Sequence, residues 1–276
     1  MTKSMNDMTV LIKGAGEMAS GVAFTLHSAG FRRLLMLELA EPLSVRRAVC
    51  FCEAVYDGRK TVEGIHAVKV ADANDAPSAW DRDEIAVCVD PDWLSVESAK
   101  PLVVIDATLA KRNLGTRLSE AALVVALGPG FTAGRDAHVV VETQRGHLLG
   151  RLLTTGSAAP DTGIPGAIAG VDIDRVLRSP SDGVFETHRC IGDRVRKGER
   201  IGTVAEGRVE CAVGGVIRGL IRPGIRVTKG LKLGDVDPRG DVGYVDLVSD
   251  KARAIGGAVL VAMLQRFGVP PTAGRH

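Results

Sequence analysis

Residues 9–30 read TVLIKGAGEMASGVAFTLHSAG, and this stretch decides the fold. A five-residue apolar run ends in Gly14, Ala15 and Gly16, and an apolar-periodic segment then continues to Gly30. The order is strand, tight glycine turn, helix. The spacing Gly14, Gly16, Ala19 fits the GxGxxA form of the dinucleotide fingerprint. One glycine permits the turn, the next lets a phosphate approach the backbone, and a small third residue lets helix and strand pack closely. Gly14, Gly16 and Glu17 are therefore cofactor-binding candidates, because the free amides of a helix N-terminus attract anions. A second strand over residues 34–37 leads into Glu38, about where an acidic residue holds a ribose hydroxyl. The alternative is that any βαβ unit needs a tight glycine turn, with or without a nucleotide.

Working outward, unalternating apolar runs at 85–89, 102–105 and 123–127 read as strands buried on both faces of a parallel sheet. Their ends carry Asp90, Asp106 and Gly128, at the edge where open α/β sheets bind ligands. The densest chemistry lies in DATLAKRN and LGPGFTAGRDAHVVVETQRGHLLGR. Gly128 and Gly130 flank Pro129 in a turn whose amides suit an anion. With Lys111 and Arg145 they complete the cofactor-binding set. His138 and Glu142 share one face of a strand, with His147 just beyond, so these three are candidates for acid and base catalysis or for a metal, together with Asp136. A surface ion pair between Glu142 and Arg145, with the histidines capping the sheet edge, is the structural alternative.

From Gly183 the sequence repeats at an offset of 32 residues. Gly183 matches Gly215, Val195 matches Val227, Lys197 matches Lys229, and Gly202 matches Gly234. Two such halves resemble the flattened barrel-sandwich of biotinyl and lipoyl carrier domains. The hairpin where a carrier would place its attachment lysine, residues 205–210, holds none, so biotin and lipoate are not expected. The expected architecture is α/β. A Rossmann-like domain spans 1–150, a linker 151–178, a barrel-sandwich 179–237, and a C-terminal segment 238–276 whose helix packs back on the first domain and ends in a frayed tail from Pro270.

The chain has 276 residues, 45% of them hydrophobic, and a net charge of +2. That balance gives no electrostatic footprint for nucleic acid, and no apolar run reaches the roughly 18 residues of a membrane span. The start lacks the hydrophobic stretch of a secretion signal, which points to the cytoplasm. The five cysteines are scattered and suggest neither a disulfide framework nor a structural zinc site. Cys50 and Cys52, on an expected helix, read as buried thiols; a thiolate there could instead carry a persulfide or selenosulfide.

KGAGEMASGVAFTLHSAGF, LELAEPLSVRRAV, IDATLAKRNLGT, LGPGFTAGRDAHVVVETQRGHLLGR, DTGIPG and SPSDGVF together resemble the YqeB family, distantly similar to the XdhC and CoxF maturation factors. The resemblance implies an accessory or maturation factor of selenium-dependent molybdenum hydroxylases. Such a factor would act on a molybdopterin-type cofactor or its selenium, with a xanthine-dehydrogenase-like enzyme as partner. An NAD(P)-dependent oxidoreductase and a non-enzymatic scaffold docking a hydroxylase are the alternatives.

Overall fold

The computed structural model describes residues 7–163, 166 and 168–268, and its contacts divide into two units. The first comprises residues up to Pro42, Phe51–Asp161 and the chain from Val248 onward; the second comprises Leu43–Cys50 and Thr162–Leu247. The tail from Pro270 lies outside the described residues.

The first unit is built on a nine-stranded sheet. Its strands are β1 (Thr9–Lys13), β2 (Arg33–Glu38), β3 (Arg59–Val62), β4 (Ile65–Val70), β5 (Ile85–Val89), β6 (Val103–Asp106) and β7 (Leu123–Leu127). After β8 (Thr132–Ala133), which lies outside the sheet, come β9 (Val139–Val141) and β10 (Leu152–Leu153), and β11 (Gly156–Ser157) pairs with β8. The order across the sheet is β10-β9-β7-β6-β1-β2-β5-β4-β3. Every pairing from β4 through to β9 is parallel, and only the edge strands β3 and β10 run antiparallel. The apolar runs become the central strands because both faces are covered, so VLI, LLML, IAV and LVVAL are each buried throughout.

Helices α1 (Glu17–Ser28), α2 (Ala54–Asp57), α3 (Ala76–Trp80), α4 (Ser95–Ala99) and α5 (Asp250–Phe267) complete the unit. The C-terminal helix α5 packs along α1. The two helices run parallel and approach at glycine: a methyl on Gly21 would stand 2.6 Å from the Ala252 methyl, and one on Gly256 would stand 2.8 Å from the Gly21 carbonyl. Both N-termini therefore lie side by side at the carboxyl edge of the sheet.

The second unit contains two four-stranded antiparallel sheets. Its strands are β12 (Val176–Arg178), β13 (Gly183–Glu186), β14 (Arg194–Val195), β15 (Arg200–Val204), β16 (Gly207–Glu210), β17 (Gly215–Leu220), β18 (Arg226–Val227) and β19 (Lys232–Asp237). The orders are β12-β19-β17-β14 and β16-β15-β13-β18. The repeat is structural: β13, β14 and β15 recur as β17, β18 and β19. The first strand of each copy pairs with the second strand of the other, β13 with β18 and β17 with β14. Neither copy can complete its hydrogen bonding alone. The equivalent glycines share a backbone conformation open to glycine, with φ of 154° at Gly183 and 153° at Gly215.

Two expectations need correction. Residues 43–50 belong to the second unit, because the Leu220 N–H donates to the Val45 carbonyl and the guanidinium of Arg47 donates to the Leu220 carbonyl. Arg46, buried, donates to the carbonyls of Tyr244, Val245 and Leu247. The CxC pair is not on a helix. Cys50 is extended after the 3-10 turn Arg47–Val49, and Cys52 lies in a second such turn, Phe51–Glu53. Both thiols are buried. The Cys50 thiol donates to the Arg46 carbonyl and accepts from Ser44, while the neighbouring guanidinium groups turn to backbone carbonyls.

Candidate functional site

The carboxyl edge of the first unit's parallel sheet gathers Lys13, Asp90, Asp106 and Glu142 among its buried polar groups. Gly14 leaves β1 with φ of 91°, and its N–H donates to the Leu37 carbonyl. Gly16 is the N-cap of α1 with open space where a side chain would be, so the backbone there is accessible to a ligand. Glu38 does not wait for a ribose. One of its carboxylate oxygens accepts from the Ala15 N–H at 2.7 Å and the other from the Leu39 N–H at 2.8 Å. Burial pushes the Glu38 carboxyl above the usual carboxylate range, against the pull of these two amides. The turn thus already holds an anionic oxygen.

Beside it stands the start of α5, capped by Ser249, whose hydroxyl accepts from the Ala252 N–H. Asp250 makes a two-point ion pair with Arg145, at 2.7 and 3.0 Å. Burial and then the Arg145 charge lower the Lys251 pKa, while the carboxylates of Glu17, Asp161 and Glu142 act in the opposite sense. Lys111 pairs with Asp161 at 2.5 Å. Glu17, Lys111 and Arg145, named from sequence, are therefore brought into one charged neighbourhood through Lys251 and Asp161, which sequence reasoning had not joined.

A second network lies on the sheet face that packs α3 and α4. Lys13, the last residue of β1, is fully buried. Its ammonium donates to the Thr116 hydroxyl at 2.7 Å and to both oxygens of Glu120 at 2.8 and 3.0 Å, and lies 4.1 Å from the centre of the Trp93 ring. Thr116 in turn donates to Asp106 at 2.7 Å, and the other oxygen of Asp106 accepts from Thr108. Burial lowers the Lys13 pKa, and the Glu120 carboxylate resists that shift. None of Lys13, Trp93, Thr116 and Glu120 was singled out from sequence. A lysine closing an otherwise apolar strand was the available signal.

The remaining candidates are placed differently. The turn at Gly128 and Gly130 is not an open nest, because the backbone of Lys111 and Arg112 covers Gly130 within 2.6 Å of where a methyl would stand, and Thr143 fills the space at Gly128. His138 and Glu142 are separated by the whole of β9 and do not meet. The His138 ring accepts from the Val124 N–H, and burial followed by the charge of Arg266 lowers its pKa. Glu142, buried, accepts from the N–H groups of Gln144 and Ala159 and so ties down the chain after β9. His147 is exposed. The expected triad of His138, Glu142 and His147 is therefore not assembled, since a three-residue strand holds its first two members at opposite ends. Among the described residues no group of three His, Cys, Asp or Glu side chains is placed to hold a metal ion. No helix among them is long and apolar enough to cross a membrane.

No family model matches the chain. Solved structures with some likeness include the ectoine utilization protein EutE (DoeB) of Ruegeria pomeroyi, 13% identical, covering 83% of this chain and 57% of that one at a TM-score of 0.23. An aspartoacylase family protein of Mesorhizobium loti is 12% identical, covering 83% and 84% at 0.25. A succinylglutamate desuccinylase/aspartoacylase of Rhodobacter sphaeroides is 28% identical but covers only 23% and 22%, at 0.21. At these scores the likeness supports no assignment of fold or activity. In sequence, the uncharacterized protein YqeB of Escherichia coli (strain K12) is 46% identical over 265 residues, which are 95% of this chain and 49% of that protein. The chain is thus similar to that YqeB protein and spans about half the length of the curated relative it matches.

Proposed function

We propose that the first unit binds a phosphate-bearing cofactor of nucleotide or pterin type at the carboxyl edge of its sheet, and that the chain serves as an accessory factor in the maturation of selenium-dependent molybdenum hydroxylases. The observation that carries the binding half is the Gly14–Gly16 turn. It opens α1 beside the parallel N-terminus of α5, has open space at Gly16, and already seats one carboxylate oxygen on the Ala15 amide. A turn that holds a carboxylate oxygen can hold a phosphate oxygen by the same N–H donors and helix dipoles. The strand order β5-β2-β1-β6-β7 supports a Rossmann-like reading, with the glycine turn at the point where the order reverses. The two interleaved halves of the second unit support a barrel-sandwich reading for that unit, as a docking module.

A molybdopterin-type cofactor fits this edge by its phosphate. The amides around Gly16 would receive it, with Lys251 and Arg145 supplying positive charge nearby. In this reading the metal or selenium travels as cargo within the cofactor. The hydroxylase connection rests on the family resemblance. An NAD(P) oxidoreductase is less favoured, because Glu38 is committed to two backbone amides.

The test is to purify the full chain with and without a co-expressed molybdenum hydroxylase system, then analyse bound pterin by mass spectrometry and molybdenum and selenium by elemental analysis. Retained pterin or selenium supports the proposal. A clean protein that still captures the hydroxylase would overturn the cofactor role and leave a scaffold.

A further inference from the structure

The Lys13 network has a second face. Asp92–Pro101 on one side and Leu114–Glu120 on the other wall a groove of about 740 Å³, within the size range of small-molecule sites. Trp93 and Glu120 are at once walls of this groove and partners of the buried Lys13 ammonium. The Glu120 side chain is only 8% exposed and sits on the single 3-10 turn Leu118–Glu120. Arg117, one turn back, also lines the groove and its charge is felt at Lys13. The seat on Lys13 is therefore cut for a carboxylate, with a second cation beside it.

The groove also carries features that packing does not require. Trp93 and Lys100 both hold left-handed backbone, at φ of 57° and 43°, which costs a bulky side chain on the order of 1–3 kcal/mol. Leu94 is 76% exposed and Leu114 46% exposed at the walls. An aromatic face and two exposed leucines suit an apolar body, and the Lys13 seat suits its charged end.

We propose that this groove binds a small aromatic carboxylate, whose carboxylate group replaces that of Glu120 on Lys13 while its ring lies against Trp93. The exchange is neutral in charge: one carboxylate leaves the ammonium as another arrives, and Glu120 turns out toward Arg117 and solvent. The residues of the Gly14–Gly16 turn do not line this groove, and the proposal does not depend on a nucleotide binding at that turn.

Benzoate is the probe, with benzamide as its uncharged control. The chain has two tryptophans, so Trp80→Phe leaves Trp93 as the only indole reporter. In that background Glu120→Ala vacates the seat, and benzoate is expected to change Trp93 emission saturably with a Kd at least tenfold lower than with Glu120 present. Benzamide should produce no such gain, and adding Lys13→Met should abolish the benzoate response. Glu120→Gln, which keeps the side-chain volume, should show the same ordering and covers the case in which the alanine variant fails to fold. Folded variants that give no saturable response to benzoate, or that respond equally to benzamide, would overturn the proposal.

Discussion

Lys13 and Asp106 are register partners on adjacent parallel strands, and the hydroxyl of Thr116 joins them, accepting from the lysine and donating to the aspartate at 2.7 Å each. The loop after β6 is thereby anchored over the point where the strand order reverses. Thr116→Val keeps the shape and removes both bonds, leaving a buried ammonium and a buried carboxylate each short of a partner. A loss of about 1–3 kcal/mol in urea unfolding is expected. An unchanged midpoint would show that the hydroxyl is dispensable.

The contact of α1 with α5 depends on the absence of side chains at Gly21 and Gly256. Gly256→Ala drives a methyl into Thr25 and the Gly21 carbonyl. Overpacking of this kind costs about 1–3 kcal/mol. Gly257→Ala, one residue on, meets nothing within 4 Å and should not destabilise, so thermal melts of the two variants separate packing from propensity.

In the second unit Asp235 is buried between Arg175 at 2.9 Å and Arg218 at 2.6 Å. Burial opposes its charge, but Lys232, Arg218 and Arg175 outweigh that and hold its carboxyl below the usual range. Asp235→Ala removes the buried carboxylate that both guanidinium groups share, and a loss of about 3–5 kcal/mol is expected. Denaturant unfolding followed by circular dichroism reads it.

His27 gives the chain a pH dependence of definite sign. Burial, then the Arg32 charge, lowers its pKa below 6.5. The unfolded chain then binds more protons than the folded one between the folded pKa and 6.5, so stability falls as pH drops through that window, by at most about 1.4 kcal/mol per pH unit. His27→Gln should flatten this slope in denaturant titrations between pH 7 and pH 5. A slope unaltered by the substitution would assign the dependence to other groups.

Much of the first unit was legible because its signals are local. The glycine turn and the apolar runs of β5 and β7 are each read from neighbouring residues, and the second unit was legible through its repeat, whose positions match 32 residues apart. The candidate site was less so. Gly14, Gly16, Glu17 and Glu38 were visible through their spacing, but Lys13, Trp93 and the pair Thr116 and Glu120 come from three separate stretches that only the tertiary fold brings together. His138 and Glu142 flank β9 with the same parity, and parity says nothing about the distance along a strand. Residues 43–50 read as part of the first domain by position, and their place in the second unit rests on one backbone bond and one guanidinium bond to β17 that no local pattern announces.

Binding at the glycine turn is tested most directly by calorimetric titration of the full chain with ADP, NAD and a pterin phosphate, beside the variant Gly16→Val. A Cβ at Gly16 meets nothing within 4 Å and the backbone there has a negative φ, so the branched side chain is expected to block the approach to the turn, with a thermal melt checking that the variant is folded. The expected result is saturable binding of at least one of these ligands, weakened tenfold or more by Gly16→Val. No binding at millimolar ligand, or binding that the variant leaves unchanged, would contradict a phosphate site at this edge.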